Sequence, residues 1–300
     1  MSLYGHVSAR GWLLFAAMGV IWGIPYLLIK LAVAEIDPAT LVLGRTAIGT
    51  ALLLPVALLR SDVRALRPHW RLLLVYTTVE VIAPWFLLSH AEQRLSSSLA
   101  GLLIAGVPLV GAILAWLTAH DDRPDAARVA GLLLGLAGVG LVVGFNVAAD
   151  DLIAVVEVGL VVIGYAIGAL LIARLRAVPS IAVVASSLAI AALVYLPFGL
   201  ARLPATLPSA QALWSVAILG VVCTALAFIV FFALSGEVGP NRATVITYVN
   251  PAVAVALGVK LLGEPLTLSI AAGFALIALG SFLGTRRARR RGSEAAVSPA

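Results

Sequence analysis

The chain is short of charge. Only 11% of its 300 residues are Asp, Glu, Lys or Arg, against 62% hydrophobic, where a soluble domain carries about 25% charged residues. It lacks the polar surface to face water all round, which excludes a soluble globule and leaves an integral membrane protein with little soluble mass. Cysteine is nearly missing: Cys223 alone rules out an intrachain disulfide and a cysteine metal cluster. His6, His69, His90 and His120 are scattered without ligand spacing, so no metal or other cofactor is expected. The only lysines are Lys30 and Lys260, and no Gly-x4-Gly-Lys-Ser/Thr loop exists, which excludes an ATP-driven pump on this chain alone. An intramembrane hydrolase needs paired aspartates, a Ser–His pair or His-Glu-x-x-His. Here Asp121, Asp122, Asp150 and Asp151 all fall in loops, so an enzyme is not expected.

What is present is apolar length; the mean hydropathy is +1.10. A helix needs about 20 apolar residues to cross the hydrocarbon core. That rule predicts an all-α protein with ten transmembrane helices at 11–34, 38–59, 70–90, 98–119, 128–145, 152–175, 180–201, 211–234, 243–262 and 267–285. Continuous apolar runs exclude a barrel of alternating strands. With the N-terminus in the cytoplasm, fifteen arginines fall on the inner side and only Arg94 and Arg202 outside. That asymmetry places both termini in the cytoplasm and the chain in the cell inner membrane as a multi-pass protein. The same asymmetry explains the +6 charge without nucleic acid, and residues 286–300 read as a basic, disordered cytoplasmic tail held at an anionic leaflet.

Shifted by 142 or 143 residues, the chain partly matches itself. Pro108 falls on Pro251, Gly131 on Gly273, Gly138 on Gly280 and Asp122 on Glu264; Gly19-x-x-x-Gly23 has a counterpart in Gly164-x-x-x-Gly168. The repeats occupy 11–145 and 152–285. Each has five spans, an odd number, so the second enters the membrane inverted, the usual architecture of alternating access around a midplane site. The matched prolines interrupt spans. Proline removes an amide donor and clashes with the carbonyl four residues back, which frees Ile104 at Pro108, Thr247 at Pro251 and Glu80 at Pro84. Pro108, Pro251 and Pro84 are therefore the candidate helix breaks and gating points, with Pro251 expected to carry substrate contacts and Pro108 hinge or packing.

Several of these residues also resemble a known family. Ile21-Trp22-Gly23 with Lys30 seven residues on, Pro38 followed by Arg45, the Pro108 and Pro251 spans, and Gly263-Glu264 before a Gly-rich last helix are similar to the EamA branch of the drug/metabolite transporter superfamily. The resemblance covers nearly the whole chain as two EamA repeats. It implies a ten-helix exporter or exchanger of metabolites, amino acids and related small molecules among them. The sequence departs from the family pattern at His120-Asp121-Asp122, where the first repeat usually has Gly-Glu, at Gly164-Tyr165 in place of Trp-Gly, and at Ser186 in the place of Arg45's counterpart. The site is accordingly expected to be asymmetric.

Charges inside a membrane are functional candidates by default. Glu80 lies roughly 14 Å in from the inner end of the third span, and Arg45 roughly 10 Å in from the outer end of the second, at about 1.5 Å per residue. Glu80 is a candidate proton carrier or contact for an amine, and Arg45 a candidate fork for a carboxylate or phosphate; the alternative is that they neutralise each other. Trp22, Tyr26, Trp85 and Tyr165 lie well inside spans and are either cavity walls or packing residues. Thr247, Tyr248 and Asn250 cluster beside Pro251 as the second candidate group. Lys30 and Lys260 read as snorkelling residues, and Glu157 as reaching the outer surface. The Gly-rich fifth and tenth helices either join the halves or form a dimer, so monomer and homodimer both stay open. The reading is a secondary transporter of small metabolites within the lipid bilayer, open to proton coupling through Glu80. A passive channel is the alternative, and an intramembrane enzyme a more distant one.

Overall fold

The structure, a computed structural model, describes residues 8–60, 63–118, 126–175, 177–238 and 244–285. The expected basic tail, and His120, Asp121 and Asp122, lie outside the described residues. Within them every regular element is helical, and the helices form ten segments. These are α1 (Ala9–Ala32), α2 (Pro38–Arg60), α3 (Val63–Ala91), α4 (Ser97–Ile104 continued by Val107–Thr118), α5 (Ala126–Asn146), α6 (Ala149–Leu175), α7 (Ser180–Ala201), α8 (Ala210–Val238), α9 (Val249–Leu262, led in by the 3-10 turn Thr244–Tyr248) and α10 (Leu268–Thr285). Eight of them, α1 to α8, contain stretches long and apolar enough to cross a membrane; α9 and α10 are shorter apolar helices. Caps mark the boundaries: the hydroxyls of Ser8, Ser96 and Ser209 accept from backbone N–H groups of the turns they open. Gly263, at φ 67°, turns the chain out of α9 in the left-handed conformation.

Packing repeats between the halves. α1 lies on α8 and α9, as α6 lies on α3 and α4; α2 packs on α8, as α7 packs on α3. Three further pairs join a helix to its own counterpart in the other half: α2 with α7, α4 with α9 and α5 with α10. Further sequence matches follow. Pro55 inside α2 and Pro197 inside α7 stand at the same offset as Pro38 and Ser180, the first residues of those helices.

The α5–α10 contact is built on Gly131, Gly135, Gly138, Gly273 and Gly280, while Gly140 and Gly144 lie outside it. A Cβ at Gly280 would come within 2.5 Å of the Gly131 carbonyl and 2.4 Å of the Gly135 amide, and one at Gly138 within 2.8 Å of the Gly273 carbonyl. Bare backbone meets bare backbone, so these glycines join the two halves. In lipid, where apolar contact with a neighbour gains little over contact with a tail, such close approach supplies the packing.

The helix breaks differ in detail from the prediction. α4 does break, but at Ala105 and Gly106, and restarts at Val107. Pro108 therefore occupies the first turn of a new helix, where no amide donor is needed. The Leu109 amide bonds to Gly106 instead of Ala105, and the Ala105 carbonyl is met by Ser281 Oγ of α10 at 3.4 Å. Pro251 likewise sits in the first turn of α9, after the 3-10 turn, and not in mid-span. α1 breaks too, between Gly23 and Pro25.

Pro84 follows a π turn, Thr78–Ile82, in α3. Its partner is a second π turn in α8, Val221–Leu226, which begins at the 143-residue offset that carries Pro108 onto Pro251. In α3 the Ala83 amide reaches back five residues to Thr78, and Tyr195 of α7 donates its hydroxyl to the Ile82 carbonyl at 2.8 Å. In α8, which has no proline there, Thr224 Oγ1 donates to the Leu219 carbonyl at 2.8 Å. Both halves thus carry a widened turn at one depth, a feature common at functional sites.

Candidate functional site

The α3 π turn and α2 together position the central group of polar side chains. Gly44 and Gly49 on α2 and Gly220 on α8 let the two helices approach until a Cβ at Gly49 would stand 2.9 Å from Thr224 Cγ2. That approach sets Thr224 against Arg45, whose Nε donates to Thr224 Oγ1 at 2.9 Å. From the other side the Trp85 ring lies under the guanidinium, with Cζ 3.6 Å from its centroid. Arg45 is 7% exposed. Tyr26 of α1 and Tyr165 of α6 both lie within electrostatic reach of the guanidinium and of each other, and Tyr165 also meets the Trp85 indole. Five helices contribute to this group, three from the first half and two from the second.

Glu80 lies in the α3 π turn, against α6. A Cβ on Gly168 would overlap its carboxylate oxygen, so the carboxylate rests on bare glycine backbone. One turn along α6, Gly164 faces the Val79 carbonyl. Tyr165 is within electrostatic reach of both Glu80 and Arg45. The two do not neutralise each other: no ion pair joins them, and among the described residues no carboxylate comes within ion-pair distance of Arg45.

The remaining candidates fall elsewhere. Trp22 packs on Phe231 of α8 at 4.9 Å between ring centroids and edge-on to Phe228, in an apolar cluster with Met18, Leu234 and Ile246. Asn250, with its amide turned to donate, reaches the Ile246 carbonyl at 3.1 Å and the Gly19 carbonyl of α1 at 3.3 Å, which ties α9 to α1. Thr247 and Tyr248 lie half-buried in the adjoining 3-10 turn. Arg45, Trp85, Tyr26 and Tyr165 therefore form one group with Glu80 beside it, and the Pro251 group belongs to the α1–α9 contact.

On the face opposite Ser8 and Thr285, here the far face, the loops are sewn together. Lys30 does not snorkel; its Nζ donates to the Glu92 and Leu95 carbonyls at 2.7 and 2.9 Å. Glu264 caps α4, accepting from the amides of Ser97 and Ser98 at 2.8 and 2.9 Å and from both hydroxyls. Glu35 accepts from the amide and hydroxyl of Ser209 at 2.6 Å, and those bonds hold its carboxyl below the ordinary Glu range. His90 meets Glu157 at 2.8 Å, and Arg202 meets Asp37 at 3.4 Å. Thr224, Glu92 and the capping role of Glu264 were not anticipated. The match of Glu264 with Asp122 was the one sequence signal that pointed to any of them.

The family model of the EamA-like transporter family matches residues 9–144 and again 152–286. The chain belongs to this family. It is a multi-pass membrane transporter by that membership, and its relatives agree. A Bacillus subtilis protein named "Uncharacterized transporter YvbV" is 28% identical over 275 residues, 90% of each chain. The Escherichia coli "Uncharacterized inner membrane transporter YedA" is 28% identical over 84% of this chain and 82% of its own. A solved structure titled "Crystal structure of protein" superposes with a TM-score of 0.66 at 21% identity, over 92% of this chain and 96% of that one, which supports the fold.

Proposed function

We infer that the protein is a secondary transporter in the cell inner membrane, moving small metabolites of the amino-acid class outward by alternating access. Its ten helices span the membrane as two inverted repeats, with both termini cytoplasmic. The paired contacts of the two halves, their matched π turns and the fifteen-to-two arginine asymmetry support that arrangement.

The observation that carries the substrate class is Arg45. A buried guanidinium in a membrane is costly unless something meets it; Trp85 holds it flat, and among the described residues its one hydrogen bond is through Nε. The terminal N–H groups remain as a planar fork for a carboxylate. Glu80, beside this group, is of opposite sign and suits an ammonium or a proton. A zwitterion satisfies both charges at once.

Counterflow in proteoliposomes with alanine, glutamate, lysine and putrescine tests this reading. Saturable exchange of a carboxylate-bearing compound, lost in Arg45→Gln, is expected. Flux that rises without saturation overturns the carrier in favour of a channel, and exchange confined to putrescine overturns the assignment of Arg45.

A further inference from the structure

Glu92 closes α3 at the far face, one residue past Ala91. It has no exposed surface, and neither carboxylate oxygen has a hydrogen-bond partner. No other acid among the described residues is left so. A carboxylate without donors in a dry site is expensive, and the neutral acid is favoured.

The charged and titratable groups around Glu92 are engaged elsewhere. From α1, Lys30 gives its ammonium to the main-chain carbonyls of Glu92 and Leu95, and Tyr26 faces Glu92 from one turn deeper. From α2, Arg45 is held by Trp85 and Thr224. From the α9–α10 loop, Glu264 is taken up by Ser97 and Ser98. Outside lies a cavity of about 430 Å³, lined by Lys30, Glu264, Arg94 and Glu35 among others. Lys30 and Glu264 both border this cavity and face Glu92, so they stand between the acid and far-side water. Inward, Glu92 is within electrostatic reach of Tyr26 and Arg45.

We propose that Glu92 is a proton-binding site of the far-face gate, charged when that gate opens and neutral when it closes. In the closed arrangement seen here Glu92 holds its proton. Opening wets the carboxyl through the cavity, the proton leaves to the far side, and Lys30 is the adjacent cation able to take the resulting charge. The proton also acts on the transport site. A neutral Glu92 leaves Arg45 uncompensated and favours an anion there; an ionised one weakens it. Linkage makes this reciprocal: an anion at Arg45 raises the proton affinity of Glu92. This second half rests on the reading of Arg45 as substrate anchor; the first does not.

The test needs no substrate. The full chain in nanodiscs is titrated while its infrared carboxylic C=O band is followed, for the wild type, Glu92→Gln and Glu80→Gln. A protonated carboxyl band at neutral pH that vanishes in Glu92→Gln and survives in Glu80→Gln is expected. Burial holds the Glu92 carboxyl above the ordinary range, so the folded state binds more protons than the unfolded one. Wild-type thermal stability therefore falls as pH rises from the ordinary Glu value, and Glu92→Gln flattens that slope. A band unchanged in Glu92→Gln overturns the proposal. For the coupling, Arg45→Gln moves the Glu92 midpoint upward by about one pH unit and Arg45→Lys, which keeps the charge, moves it less. A midpoint equal in all three forms overturns the link to Arg45 while leaving the proton site standing. Loss of counterflow has no bearing on either result.

Discussion

The guanidinium carbon of Arg45 lies 3.6 Å from the centroid of the Trp85 ring, and its Nε is fixed by Thr224 on the other half of the molecule. The cation is thus held by a π face and one hydroxyl, an arrangement that orients it without discharging it. A desolvated cation–π contact contributes about 2 kcal/mol. Trp85→Leu is expected to weaken substrate affinity about 30-fold with the protein still monodisperse. Thr224→Val, which removes the Nε acceptor, weakens it less. Substrate titrations by counterflow inhibition read both.

Two glycines on α6 separate fold from function. Gly164→Ala drives a methyl against the Val79 carbonyl, where a Cβ would stand 2.5 Å from the oxygen. Backbone has to move, so a loss of about 1–3 kcal/mol and a lower thermal midpoint are expected. Gly168→Ala meets side chain rather than backbone: the carboxyl end of Glu80 first, with its Cβ at 3.3 Å. Its midpoint should stay near wild type while transport falls, because the carboxylate is pushed off its seat. Equal thermal loss in both variants would contradict this division.

Glu264 ties the far face by meeting the first two amides of α4. Bonds to a charged partner contribute about 1.5–3 kcal/mol each, net of the bonds to water that they replace. Glu264→Ala should lower the thermal midpoint by several degrees, and Gly258→Ala should mimic it, because a Cβ there would strike the Glu264 carboxylate and both serine hydroxyls.

Much of the architecture was legible because hydropathy and proline act locally. The run of apolar segments follows from residues read a few positions at a time, and the repeat from Pro108 and Pro251 at one offset; the glycine contact between α5 and α10 was one of two readings the sequence left open. Where each break settled was less legible. Pro108 does fall mid-span, in the first turn after the break at Ala105 and Gly106, whereas Pro251 lies in the first turn of α9; at each the missing amide falls where none is needed. Of the candidate site, Arg45, Trp85, Tyr26 and Tyr165 converge as a group, and Glu80 lies beside it. Trp22 and Asn250 looked equivalent in sequence, but their partners are Phe231 and Gly19, far along the chain. Glu92 drew no attention in the sequence, since its charged neighbours Lys30 and Glu264 come from α1 and the α9–α10 loop, far along the chain.

Glu35 supplies a pH dependence of its own. Its bonds to Ser209 lower its folded-state proton affinity, so its contribution is present above the ordinary Glu range and is lost as pH falls through the depressed value. Cysteine accessibility at Gln211, tested on the full chain, should rise as pH falls below the ordinary Glu range. Glu35→Gln should show the same accessibility at neutral pH, and an unchanged profile in that variant would remove Glu35 from the closure.

Glu80 is the acid most exposed to test. It rests on Gly168, and no ion pair joins it to Arg45, so its charge is not used to hold Arg45 in place. Glu80→Gln keeps the shape of the side chain and removes only the charge. Folding and the Arg45–Trp85 contact should survive, and affinity for a carboxylate without an amine should be retained. What should go is either the dependence of transport on pH or the discrimination between a zwitterion and a simple carboxylate, by about tenfold or more for one lost charge contact. Paired counterflow with alanine and with propionate, each across a pH series, reads both. A variant that keeps wild-type pH dependence and the wild-type preference for alanine would take Glu80 out of the transport site.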